Sequence, residues 1–173
     1  MAKNKLNLQA YQQDILARLR NLAEGGRSAS SSRLGVRSGA MHWLVTLGEI
    51  SEVLPVPGIM PVPLTHSWFM GMANVRGNLF ALTDLAAFTG QARTSVTAES
   101  RVLLVHNRFG INAGLLVDGL IGLRNLDDMQ AGDSVKNTPA WQLRRYKDAG
   151  GQNWDELDIG VLLGQNEFMQ VAA

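Results

Sequence analysis

Cysteine is absent from the 173-residue chain. That excludes disulfides, a thiolate nucleophile and a cysteine-ligated zinc. Charge is scarce too: Asp, Glu, Lys and Arg make up 18% of the residues, against roughly 25% in an average soluble protein. The formal net charge is +1, which gives no electrostatic case for nucleic acid or an anionic membrane as partner. With 46% hydrophobic residues beside so little charge, part of the surface is expected to be covered by something else. Long apolar runs are lacking as well. Gly, Arg, Asp or Asn interrupts every window before the roughly 20 residues of a membrane span, so no membrane insertion is expected. The opening MAKNKLNLQAYQQD has early lysines but no apolar stretch like that of a signal peptide. These absences together predict a cytoplasmic location.

Catalytic and metal-binding patterns are also missing. The three histidines, His42, His66 and His106, stand 24 and 40 residues apart, without an H-x-x-x-H or H-E-x-x-H spacing. No G-x-S-x-G elbow accompanies them. The 18 glycines form neither a phosphate-cradling G-x-x-x-x-G-K-[ST] nor a strand-linked G-x-G-x-x-G, and they read as turn and bulge residues. The acidic run Asp155-Glu156-Leu157-Asp158 overlaps an expected helix start, where a carboxylate belongs for capping alone. Arg144, Arg145 and Lys147 beside Trp141 and Tyr146 form the sole basic-aromatic cluster, and it reads first as a solvated helical face. The expectation is therefore no enzyme, no metal and no cofactor.

Three sections are present instead. Residues 1–26 carry an amphipathic helix over 8–24. Its stripe Leu8, Tyr11, Ile15, Leu19 and Leu22 is spaced 3, 4, 4 and 3 apart, and Gly25-Gly26 stops it. It either packs on its own domain or docks on a partner. Residues 27–33, RSASSSR, are a linker by composition. From residue 34 to 173 the period changes to two. Leu34 and Val36, then Met41, Trp43, Val45 and Leu47, predict a hairpin. Ile50 to Leu54 continues extended. Four of the five prolines follow at 55, 57, 61 and 63, a stretch fit only for an edge or a crossing loop. Thr65 is placed to cap a helical turn through Trp68 and Met70. Met72–Val75 and Leu79–Leu82 predict a second hairpin, with Gly77-Asn78 as its turn. Asp84 is placed to cap a short helix ending at Gly90. The pattern then repeats: strands at 102–105, 111–117 and from Leu120, a helical turn at 141–146, and Asp158–Gly164 echoing Asp84–Gly90. Two similar β units result, each closed by a short helix, in the manner of small barrels.

Ile50-x-Glu52-Val53, the proline-bearing connection, Gly71-Met72-Ala73-Asn74-Val75-Arg76-Gly77, Leu82-Thr83-Asp84-Leu85 and Gly114–Gly119 together resemble the CheW family of chemotaxis adaptor domains. The resemblance covers about residues 33 to 170. Ala81 where the family often has proline, the loop 127–153 and the N-terminal helix resemble most the branch found in type IV pilus twitching systems. The resemblance implies a mainly β fold: two five-stranded SH3-like barrels packed together, with the N-terminal helix added and a short helix at the C-terminus. It implies an adaptor that joins the helical tip of a methyl-accepting chemoreceptor to the regulatory domain of a CheA-type histidine kinase. The partner-binding residues it implies are Ile50, Glu52, Gly71, Asn74, Arg76, Gly77, Val117 and Asp118. The two glycines would admit a partner helix closely, and Arg76 would reach its carboxylates or C-terminal carbonyls. A small β-barrel module binding nucleic acid or a ligand is the alternative reading.

Overall fold

The computed structural model describes residues 29–132 and 137–173, together with Ala17 and Asn21. Apart from those two residues, the helix expected over 8–24 lies outside the described residues. The strands are β1 (Ser32–Ser38), β2 (Met41–Thr46), β3 (Ile50–Pro55), β4 (Ile59–Met60), β5 (Phe69–Val75) and β6 (Asn78–Asp84), followed by helix α1 (Leu85–Phe88). Then come β7 (Arg101–Val105), β8 (Ala113–Val117), β9 (Gly119–Asn125), β10 (Gln130–Ala131), β11 (Gln142–Lys147) and β12 (Asn153–Leu157). Helices α2 (Ile159–Leu163) and α3 (Asn166–Met169) close the chain.

Among the described residues two six-stranded sheets result, ordered β10-β11-β12-β2-β1-β9 and β4-β5-β6-β8-β7-β3. Each contains one parallel pair, β12 with β2 and β6 with β8, and the other pairings are antiparallel. In each, the strand on one side of the parallel pair runs straight into an Asp-capped helix. Asp84 accepts from Ala86 N and Ala87 N at the start of α1, and Asp158 accepts from Val161 N at the start of α2. The two sheets are thus the same arrangement built twice, with the hairpins β1–β2 and β7–β8 exchanged between halves. The sequence echo of Asp84–Gly90 in Asp158–Gly164 marks the duplication.

The exchange explains the core. Hairpin β7–β8 is buried on both faces. Leu103, Val105, Leu115 and Val117 meet Leu34, Val36, Trp43 and Val45 of the other sheet in one shared core. Val102, Leu104 and Leu116 face the opposite way, onto Ala73 and Leu82, in a smaller core private to the second sheet. Full burial of such side chains stabilises by about 1.5–3 kcal/mol each, so the shared core locks the halves into one unit.

Three local expectations are corrected. The helical turn expected over 141–146 is instead strand β11, Gln142–Lys147, with Gln142, Arg145 and Tyr146 in register against β12. Of the acidic run, Asp158 does stand at a helix start, capping α2, but Asp155 and Glu156 are buried strand residues of β12. Asp155 receives both Nε and Nη2 of Arg145, at 2.7 and 2.9 Å, and Glu156 receives Arg33 Nε at 2.9 Å. Thr65 does not cap a helix: its Oγ1 donates to Val62 O, its backbone bridges to Ala172, and β5 begins at Phe69. The sheets also have six strands and open hydrogen-bonded orders rather than closed five-stranded barrels. In the second sheet Pro55 and Pro57 line the seam, and residues without N–H donors cannot zip it into a ladder.

Candidate partner-binding site

Strands β5 and β6 are joined by two residues, since Val75 pairs with Asn78. The turn is Arg76-Gly77, one residue earlier than expected. Both residues have positive φ, +52° and +86°, the signature of a type I′ hairpin turn. Asn74 Oδ1 accepts from Gly77 N at 2.8 Å, which braces the turn from inside the hairpin. An arginine in the left-handed region costs about 1–2 kcal/mol.

An ion pair offsets part of that cost. Arg76 Nη1 and Nη2 donate to Glu52 Oε2 and Oε1, at 2.7 and 2.6 Å, in a two-pronged pair. The pair holds the guanidinium pKa above its ordinary value, chiefly through the Glu52 hydrogen bonds. Glu52 lies on β3 and Arg76 beyond β5, strands that are not neighbours in the sheet. The ion pair therefore crosses the open seam where the second sheet curls around its private core. Beside it runs a shallow groove of about 330 Å³, with Leu54, Val56 and Pro57 on one wall and Asn74, Val75 and Arg76 on the other. The Arg76 side chain is 55% exposed, and as a surface pair the contact is worth about 1 kcal/mol or less. It positions more than it stabilises. Leu79, cross-strand from Asn74, is 49% exposed and extends the surface in an apolar direction.

Four of the eight expected site residues meet here: Glu52, Asn74, Arg76 and Gly77. The other four do not. Ile50 and Val117 are fully buried in the shared core and offer no side chain to a partner. Ile50 and Glu52 do not share a strand face as expected, because a bulge between them breaks the alternation. Asp118 follows β8 at the end of the parallel pair opposite the Arg76 turn, where it accepts from Gly39 N at 2.6 Å and fixes the β1–β2 turn. Gly71 has φ +125°, and a Cβ there would run into the Met60 carbonyl oxygen. Its bare face admits the chain's own β4, not a partner. Gly77, by contrast, has open space beside it.

The groove's apolar wall was not foreseen, although one signal was available. Glu52 and Arg76 bracket 23 residues without a single Asp, Glu, Lys or Arg. A lone acid and a lone base at the ends of a folded-back segment are natural partners. Other sequence candidates resolve into structure. Arg145 is consumed by Asp155, which breaks the basic cluster. His42 lies edge-on to Trp154, His66 stacks on Trp68, and His106 Nδ1 accepts from Arg108 N. Among the described residues no group of three His, Asp or Glu could hold a metal, and no helix is long and apolar enough to cross a membrane.

The family model of the CheW-like domain matches residues 33–165, most of the chain. The chain belongs to the CheW-like family. Family members of this kind are scaffolds and adaptors rather than enzymes. Protein PilI of Pseudomonas aeruginosa is 35% identical over 117 residues, a stretch covering 65% of this chain and 65% of PilI. The chain thus spans just under two thirds of that relative. The crystal structure of the scaffolding protein TtCheW from Thermoanaerobacter tengcongensis superposes with a TM-score of 0.65 at 18% identity, over 79% of this chain and 94% of TtCheW. At that identity the likeness is one of fold. It agrees with the two sheets and few short helices described above.

Proposed function

We propose that this CheW-like chain is a cytoplasmic adaptor that couples the helical tip of a methyl-accepting chemoreceptor to the regulatory domain of a CheA-type histidine kinase. The signalling array it serves controls type IV pilus twitching motility, a reading supported by the likeness to PilI. Each open six-stranded sheet, with its Asp-capped helix at one end, serves as one SH3-like unit. The observation that carries the reading is the exposed Arg76, held outward by Glu52 at the rim of a groove with an apolar wall. Two of its five N–H donors are committed to Glu52, and the side chain is more than half exposed. A carboxylate or a helix C-terminal carbonyl on the partner would receive the remaining donors. A patch this small suits micromolar affinity, about 8 kcal/mol, which an array of many copies raises through multivalency.

Arg76→Glu tests this. It sets two carboxylates side by side at the rim and leaves the buried core untouched, so the fold persists. Titration calorimetry against a receptor-tip hairpin is expected to show affinity down about tenfold or more, some 1.4 kcal/mol. A folded Arg76→Glu protein that binds like wild type would sink the assignment.

A further inference from the structure

A separate cavity of about 520 Å³ opens where the two halves meet, past α1 and so at the end of β6 remote from the Arg76 turn. Its walls are aromatic. Trp68 stacks with His66 and with Phe168, at 5.4 and 6.2 Å, while Phe88 stands edge-on to Trp68 at 5.2 Å. Trp141 leans on Phe88 and Trp43, at 5.9 and 5.8 Å. Its mouth is polar: Glu167 on α3 and the exposed His66 stand there, and among the described residues neither lysine nor arginine lines it. Glu167 is exposed and its carboxylate has no hydrogen-bond or ion-pair partner among the described residues.

An aromatic floor with a few converging polar groups, set between two packed halves, is the usual form of a binding pocket. Its charge selects the occupant. Ring faces are electronegative and attract cations, and among the described lining residues Glu167 is the one acid, with His66 the one basic side chain. An anion would meet repulsion, and a neutral apolar group would shield Glu167 from water without pairing it. Arginine suits both features, because its planar guanidinium stacks on rings and forks onto a carboxylate. We infer that this cavity receives an arginine side chain presented by a partner protein, as suits a member of a scaffold family.

Three of the four tryptophans, Trp43, Trp68 and Trp141, line the cavity, so intrinsic fluorescence reports its occupancy. Nα-acetyl-arginine amide titrated into the full chain should give a saturable change that Nα-acetyl-norleucine amide does not. Glu167→Gln, at an exposed position that does not threaten folding, should weaken the arginine probe about fivefold, the upper range for an exposed ion pair. No saturable change with the arginine probe overturns the inference, as does an equal response to norleucine or an unchanged Glu167→Gln. Free arginine binding more than tenfold tighter than the capped amide overturns it too, since a metabolite site would then be the better reading.

Discussion

Two glycines that look alike in sequence should behave very differently when replaced by alanine. Gly71 and Gly77 both have positive φ, and each alanine variant loses about 1–2 kcal/mol for that reason. A stiffer unfolded chain returns about 0.5 kcal/mol to both, so this term cancels in the comparison. The surroundings differ. At Gly77 nothing stands within 4 Å of the new methyl group, so the net loss stays near 1 kcal/mol. At Gly71 the methyl meets the Met60 carbonyl, and β4 has to leave β5, forfeiting the Ile59–Ala73 and Met60–Met72 pairings. At about 1 kcal/mol per net hydrogen bond, that adds about 2 kcal/mol. In a domain of this size about 2–4 °C of melting temperature follows each kcal/mol. Gly77→Ala should therefore melt about 2–4 °C below wild type, and Gly71→Ala about 6–12 °C below. Thermal unfolding by circular dichroism, repeated with urea, reads both. A Gly71→Ala protein no less stable than Gly77→Ala would refute the argument that Gly71 makes room for the chain's own backbone.

Asp84 and Asp158 cap equivalent helices with unequal loads. Asp84, 1% exposed, accepts from Ala86 N, Ala87 N, Thr94 N and Thr94 Oγ1. Asp84→Ala should cost about 3 kcal/mol and Asp158→Ala about 1 kcal/mol, measured by urea unfolding; equal losses would contradict the capping argument. Double-mutant cycles at Glu52 and Arg76 should give a coupling of about 1 kcal/mol or less, and a much larger value would make the pair a structural clasp. Glu49 supplies a pH test. Burial, reinforced by the Asp158 charge and opposed by the Ile159 N–H, raises its pKa above 4.5. The folded state therefore favours protonated Glu49, and its contribution is full below pH 4.5 and lost as pH rises through the raised value. Glu49→Gln should gain stability relative to wild type as pH climbs from 4.5 to neutrality, read from urea midpoints; a difference that stays flat with pH would contradict the burial argument.

What the sequence disclosed was what short range decides. The β1–β2 and β5–β6 hairpins show through period-two alternation and turn chemistry, and α1 and α2 through their capping aspartates. The exchanged hairpins were hidden, because the parallel pairings of β12 with β2 and β6 with β8 join strands far apart along the chain. Strand β11 was hidden because Arg144, Arg145 and Lys147 mask its alternation, and β12 because its buried acids are neutralised by Arg33 and Arg145 from other strands. At the turn, Gly77 was legible because positive φ favours glycine, whereas Arg76 at positive φ was not, since the residues pointed to Gly77-Asn78. Ile50 and Val117 were misjudged as surface residues. A bulge turned one inward, and double-sided burial of β8 enclosed the other.

The central claim is that the seam between Glu52 and Arg76 receives a helical partner. Amide chemical-shift mapping of the labelled chain against an unlabelled receptor-tip hairpin tests it most directly. The account predicts shifts clustered at Glu52–Val56 and Asn74–Leu79, with the β1–β2 turn at Gly39 unmoved. Binding that leaves both of those segments undisturbed would contradict it.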